Sequence, residues 1–369
     1  MKINLKLSFK SYFWISITSI IVALLFLEVS IRTYDLFRGD GFFSSHRSKV
    51  VNLNQSSMPF RTFGFPLYEK VNDTRHILSR HGELYPLEKP PGTYRVVVFG
   101  GSSTENKHSY TATKTHYPLL LQSHLREELN TDNIEVINVG NSAYATPHSL
   151  ILFELDVLSW APDIIIVSHN INDLHAAYWP NFTFDYSNKY GTKYYMSDKY
   201  NLSADMLFQQ SNAYWVIRDK VNRLRSTNVK PLTRKSYGNN LKSEVIKTFK
   251  RNLHTFVAVA KQNDIKVLLG NQPLQRSEEY FDNHMRHKKY NDIVVYPLHD
   301  EFVIHHNTFN KIIQEVAKET NVFFIDNDNV LASNEELFID FVHYTPAGVQ
   351  VLAQNYADYI LTHNIITIN

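Results

Sequence analysis

The sequence predicts an α/β protein, a three-layer α/β/α sandwich around a parallel sheet, preceded by an N-terminal transmembrane helix. Three observations lead there. Five short apolar runs each end in glycine or polar residues, stretches of helical spacing separate them, and a long, nearly uncharged segment opens the chain behind Lys2, Lys6 and Lys10.

The opening segment comes first. Ser11–Ile31 carries a single charge, Glu28, and a bilayer core takes about 20 consecutive apolar residues. A cleavable signal peptide is the competing reading. No small-x-small cleavage site follows, only "LFLEVSIRTYDLF", which favours an uncleaved signal anchor. Lysines on the short side place residues 1–10 in the cytoplasm, residues 11–31 in the membrane and the rest outside, periplasmic or extracellular. Arg32 and Arg38 reduce that charge asymmetry. Residues 32–92 lack sustained periodicity and close on "EKPPGTY", which reads as the end of a juxtamembrane stalk.

From residue 93 onward the runs are "YRVVVFGG", "IEVINVGN", "DIIIVSHN", "IKVLLGNQ" and "VFFIDN". Continuous β-branched runs suit strands buried on both faces of a parallel sheet. Helical patterns lie between them: "YPLLLQSHLREELN", "HSLILFELDVLSW", "SEVIKTFKRNLHTFVAVAKQN" and "HHNTFNKIIQEVAKET". A last helix starts at "HYTPAG", where Thr345 suits the N-cap and Pro346 the first helical position. An insertion at about 174–240 lacks clean periodicity and reads as a cap beside the site. Its Tyr178, Trp179, Phe182, Tyr186, Tyr190, Tyr194 and Tyr195 would stack on sugar rings, line an acyl groove, or form the cap's own core.

Composition narrows the function. With 38 basic and 36 acidic residues the net charge is +2, and no block of like charge appears, so nucleic acid is not an expected partner. The absence of cysteine removes disulfides, thiolate metal sites and cysteine nucleophiles. His284, His287, His299, His305 and His306 sit among lysines and arginine that disfavour a cation; no metal and no cofactor are expected.

In a sheet of this kind the working residues stand outside the carboxyl ends of the strands. Those ends supply Gly100–Thr104, Gly140–Asn141, Asn170–Asp173 and Asn271–Gln272. "GGSST" fails as a phosphate cradle, because no Gly-Lys-Ser/Thr follows and no spaced glycines continue. A serine nucleophile instead needs a base, an acid that orients it, and oxyanion donors. "FIDFVHYTPAG" provides Asp340 and His343 just before the final helix, and the Gly140 amide and Asn172 side chain are candidate donors.

This constellation resembles the SGNH/GDSL hydrolase superfamily, over roughly Arg95 to the end. Its first block matches Gly100-Gly101-Ser102-Ser103-Thr104, its second Gly140 within "INVGNSAYA", its third Asn170-Ile171-Asn172-Asp173, and its fifth Asp340 to His343. Gly101 replaces the usual aspartate, Asn170 a glycine and Ala143 a second glycine. Asn is the next most tolerant residue after glycine if the position at 170 needs positive φ. The resemblance implies a flavodoxin-like fold and a serine esterase, with Ser102 as nucleophile, His343 as base and Asp340 orienting it. The Ser102 and Gly140 amides and Asn172 would hold the oxyanion. Asp173 is expected to brace its loop.

The expected activity is hydrolysis of an O-acyl or O-acetyl ester on an envelope or extracellular glycan. A lipid or lysophospholipid ester is the alternative substrate, and an O-acyltransferase the alternative reaction. A catalytically silent, membrane-anchored binding module is the reading from a different class.

Overall fold

The computed structural model describes residues 8–37, 42, 60–61, 63–179, 181–190, 208, 211–227, 241–285, 289–290, 293–294 and 296–366. The chain divides into two compact units, residues 1–55 with 196–231, and residues 56–195 with 232–369.

The larger unit begins with an antiparallel sheet of three strands, β1 (Tyr68–Val71), β2 (Thr74–Leu78) and β3 (Leu84–Pro86). Asn72 and Asp73 join β1 to β2, both with positive φ (48° and 64°). A two-residue hairpin turn of this hand needs that backbone at both positions, and Asn and Asp are the side chains that tolerate it best. This sheet stands in the span 32–92 expected to be an irregular stalk. Phe63, Phe65, Leu67, Ile77 and Tyr85 join the main hydrophobic core, so this stretch is folded rather than linking. Residues 38–41, 43–59 and 62 of that span lie outside the described residues.

The central sheet follows the predicted runs. Its strands are β4 (Tyr94–Gly100), β5 (Ile134–Asn138), β6 (Ile164–Ser168), β7 (Lys266–Gly270) and, after a small ribbon of β8 (Lys289–Tyr290) and β9 (Ile293–Val294), β10 (Phe323–Ile325). They lie in the order β10-β7-β6-β4-β5, and each described pairing is parallel. Alternate side chains face opposite layers. Val97, Phe99, Ile165, Val167, Val267 and Leu269 pack against helices Thr146–Leu155, Ser243–Gln262 and His299–Thr320. Val96, Val98, Ile164, Ile166 and Leu268 pack against helices Tyr117–Glu128 and Pro346–Thr362. Covering both faces is why the runs contain no polar alternation, and each buried aliphatic contributes about 1.5–3 kcal/mol. Thr345 caps the last helix as expected, accepting from the Gly348 amide at 3.2 Å.

The strand order reverses direction at β4, with β5 to one side and β6 to the other. That reversal opens a crevice between the carboxyl ends of β4 and β6. Ser102 follows β4 and Asn172 follows β6.

The smaller unit contains helix Phe9–Phe37, long and apolar enough to cross a membrane. Among its residues, large side chains including Tyr12, Phe13, Trp14, Ile20, Leu24, Leu25 and Phe26 are exposed, as a lipid-facing surface requires. Glu28, its acidic residue within the apolar stretch, caps a second helix. The Glu28 carboxylate accepts from Ser211 Oγ (2.9 Å), Asn212 N (3.0 Å) and Ala213 N (2.8 Å) at the start of helix Asn212–Thr227. Arg32 Nε donates to the same carboxylate at 2.7 Å, and Asn212 Nδ2 donates to Asp35 at 3.0 Å. The free amides at a helix start require such acceptors.

Candidate active site

β4 ends at Gly100, and the chain turns at once into the short helix Ser102–Glu105. Ser102 Oγ lies 2.8 Å from His343 Nε2, and His343 Nδ1 lies 2.7 Å from Asp340 Oδ2. Asp340 Oδ1 also accepts the backbone amides of Val342 (2.9 Å) and His343 (2.8 Å). Burial alone would raise this carboxyl, but the His343 hydrogen bond and charge, with the two amides, hold it well below the ordinary range. Asp340 is therefore ionised, His343 Nδ1 carries the proton it donates to Asp340, and Nε2 is left to accept from Ser102. The adjacent Ser103 is buried, and its hydroxyl accepts from Gln272 Nε2 at 2.6 Å. Two neighbouring serines thus have two different partners.

The strand-end residues expected to converge do so. Asn172 Nδ2 donates to Tyr144 O at 2.8 Å, which sets the amide beside the turn at Gly101. A Cβ on Gly101 would stand 2.4 Å from Asn172 Nδ2 and 3.2 Å from Tyr144 O. The Asn172 amide therefore fills the space that an aspartate at position 101 would need. From β7, Gln272 Oε1 accepts the Ile171 amide at 2.8 Å, while its Nε2 serves Ser103.

Gly140 does not present its amide as the sequence suggests. Its N–H donates to Asn138 Oδ1 at 2.9 Å. Glycine is required there for space, because a Cβ would lie 2.7 Å from the Glu105 amide. The residue with the left-handed backbone in this loop is Ala143 (φ +67°), next to the Tyr144 carbonyl that holds Asn172. Alanine at such an angle is strained, which marks the loop as over-determined by its surroundings. Asn170, by contrast, has φ −163°, outside the left-handed region that favours glycine. Its side chain is kept for bonds to His306 O (3.0 Å) and Asn310 Oδ1 (2.7 Å).

Asp173 is fully buried and braces more than its own loop. Its carboxylate accepts the Thr146 amide at 3.2 Å and the Thr146 hydroxyl, and Asn252 Nδ2 donates to that hydroxyl at 2.8 Å. Burial pushes the Asp173 carboxyl up to about 7, and the Thr146 bonds offset only part of the shift.

The aromatics of the insertion divide. Tyr178, Tyr186 and Tyr190 are buried in the core, and Tyr190 OH donates to Asn172 O at 2.8 Å. Trp179 and Phe182 are half-buried, with Lys189 Nζ 4.6 Å from the Trp179 ring centre. Tyr194 and Tyr195 lie outside the described residues, as do residues 191–207, 209–210 and 228–240 of the insertion. Of the histidines weighed as ligands, His306 is buried, and burial drives its imidazole down to about 3, while His305 Nδ1 meets Tyr178 OH at 2.9 Å. His287 and the side chain of His284 lie outside the described residues. Among the described residues no three His, Asp or Glu side chains group to hold a metal ion.

Three residues of the site escape a reading by motif. The exposed His108 ring lies 5.4 Å from that of His343. Glu105 and Arg80 form an ion pair beneath the nucleophile helix. The sequence signal for Glu105 was its place three residues after Ser102, facing inward on one helical turn. Arg80 carried none, being in the segment taken for a stalk.

Residues 98–351 match the family described as GDSL-like Lipase/Acylhydrolase. No relative was found among curated protein sequences. Solved structures similar to this chain include an acetylxylan esterase from Geobacillus stearothermophilus, at 16% identity over 72% of this chain and 94% of that one, with a TM-score of 0.43. An alpha/beta hydrolase from the metagenome of Lake Arreo, Spain, is similar at 15% identity over 72% and 94%, with a TM-score of 0.42.

Proposed function

The chain belongs to the GDSL-like lipase/acylhydrolase family of ester-hydrolysing enzymes, and we propose that it cleaves its ester through an acyl-enzyme formed on Ser102. The observation that carries this reading is the unbroken relay from Ser102 Oγ to His343 (2.8 Å) to Asp340 (2.7 Å). His343 Nε2 takes the Ser102 proton as Oγ bonds to the ester carbon, and Asp340 stabilises the imidazolium. The Ser102 amide and Asn172 Nδ2 hold the oxyanion, with the Ala143 amide as the loop's donor in place of the engaged Gly140 amide. Collapse of that intermediate expels the alcohol, which takes the proton back from His343. Water, deprotonated in turn by His343, then releases the acid.

The substrate we favour is an O-acyl, above all O-acetyl, ester on a glycan of the envelope or the exterior. Support comes from helix Phe9–Phe37 as a membrane anchor, with its N-terminus cytoplasmic and the hydrolase domain outside, and from half-buried Trp179 and Phe182 in the insertion. A sugar hydroxyl replacing water in the second step would make the same site an O-acyltransferase, and an apolar anchor also suits a lipid ester.

The test is p-nitrophenyl ester hydrolysis from acetyl to long acyl chains by the full chain in detergent, with Ser102→Ala beside it. Ser102-dependent release confined to acetyl supports the glycan reading, and a long-chain preference moves it to lipids. Release only with an oligosaccharide acceptor identifies a transferase. Absence of Ser102 labelling by a fluorophosphonate, in a folded protein, leaves a silent binding module.

A further inference from the structure

Glu105 closes the nucleophile helix and is 1% exposed. One carboxylate oxygen pairs with Arg80 Nη2, whose side chain is 6% exposed. The other accepts both donors of Ser142, the amide at 2.7 Å and the hydroxyl. Ser142 precedes Ala143, the left-handed residue of the loop after β5. A single carboxylate therefore joins the helix that begins with Ser102 to the loop after β5, the loop proposed above to carry an oxyanion donor.

Its counterion comes from elsewhere in the chain. Arg80 belongs to the turn between β2 and β3, ahead of the family-matched residues 98–351. That turn is fixed on both sides of the link. The Arg80 amide donates to Asn138 O at 2.9 Å, and Asn138 Nδ2 donates to Thr104 O at 3.1 Å. His81 Nε2 meets the Glu105 carbonyl, and the His81 ring stacks on Tyr110 at 4.0 Å. Burial holds the His81 imidazole down to about 4, so it bonds that carbonyl as a neutral donor. Phe65 lies 4.8 Å beneath the Arg80 guanidinium.

We propose that Glu105, held by Arg80 of the N-terminal sheet, is a positioning residue that sets the Gly140–Ala143 loop against Ser102 and so fixes the oxyanion site. This rests on the acyl-enzyme reading for its catalytic consequence, though not for its structural one. The pair is buried and charge-assisted, so removing one partner leaves the other uncompensated and frees the loop. Misplacing a reacting group by about 1 Å can cost on the order of 10²-fold in rate. A loop displaced from the transition state, with the binding surface unchanged, lowers kcat and leaves KM.

The experiment pairs Glu105→Gln with Arg80→Met, each alone and together, in the full chain. It reads kinetics, inhibition by a boronic acid that forms a tetrahedral serine adduct, and amide hydrogen exchange of residues 139–144. We expect kcat to fall roughly 10–100-fold with KM within about twofold, by the cost of misplacement above. Boronate affinity should fall in parallel, loop exchange should quicken while the core strands stay protected, and the double variant should be no worse than the poorer single one. Unchanged loop exchange overturns the proposal, and so does quickened exchange with wild-type kcat and boronate affinity. A fall in melting temperature with kcat intact would assign the pair to stability alone. If the wild type has no Ser102-dependent turnover, the acyl-enzyme reading fails, and the exchange data still decide whether Glu105 sets the loop.

Discussion

Gln272 Nε2 donates to Ser103 Oγ at 2.6 Å, and this one bond separates the roles of two adjacent serines. It ties Ser103 to the end of β7 and leaves Ser102 facing His343. Ser102→Ala should abolish covalent labelling by a fluorophosphonate, while Ser103→Ala keeps labelling and most of kcat. Mass spectrometry of the labelled peptide checks the assignment; a label on Ser103 in the wild type would overturn it.

Asn172→Ala should lower kcat by about 10²–10³, the usual cost of one oxyanion donor. It should leave residual Ser102-dependent turnover, because backbone amides remain. Steady-state kinetics on the best p-nitrophenyl ester decide the matter. A loss below about fivefold, small against that range, would mean that the Asn172 amide serves only Tyr144 O.

Asp173 makes stability depend on pH. Its carboxyl titrates near 3.8 when unfolded and is raised to about 7 by burial in the fold. Between those values the folded chain holds a proton that the unfolded chain has released, so its contribution is present below about 4 and is lost as pH rises toward 7. Asp173→Asn should flatten that slope while the wild type shows it. Denaturation midpoints at several pH values across the window measure both. Identical slopes in the two proteins would show that Asp173 is not the titrating group.

Arg95→Ala should cost about 3–5 kcal/mol, the usual penalty for breaking a buried ion pair on one side. Arg95 is fully buried and donates to Glu135 (2.7 Å), Trp160 O (2.7 Å) and Pro86 O (2.8 Å), joining β3, β4 and β5. Chemical denaturation gives the number. A change under about 1 kcal/mol would place this pair with exposed ones.

The central sheet was legible because strands buried on both faces leave unbroken β-branched runs, and "VVVF" and "IIIV" are such runs. Helix Pro346–Thr362 was legible because its cap and its proline are local signals. The antiparallel sheet was not, because its strands are three to five residues long and its hairpin uses Asn72-Asp73 without the glycine that advertises such turns. The site divided in the same way. Ser102, Asp340 and His343 were placed by strand-end position and by the motif blocks they resemble, and hydrogen bonds join them here. The loop after β5 was misread at Gly140, whose amide is engaged by Asn138, since a glycine needed for close approach looks in sequence like one needed for an amide. Long-range partners such as Arg80 for Glu105 leave no periodic trace at all.

The cap that Glu28 places on helix Asn212–Thr227 bears on how a soluble form would be prepared. Trimming the hydrophobic leader just before Arg32 looks harmless on a hydropathy plot, yet it discards the carboxylate that receives Ser211, Asn212 and Ala213. The truncated product would carry helix Asn212–Thr227 with its first amides uncapped and prone to fray. A cut ahead of Glu28, or solubilisation of the whole chain, keeps that carboxylate in place.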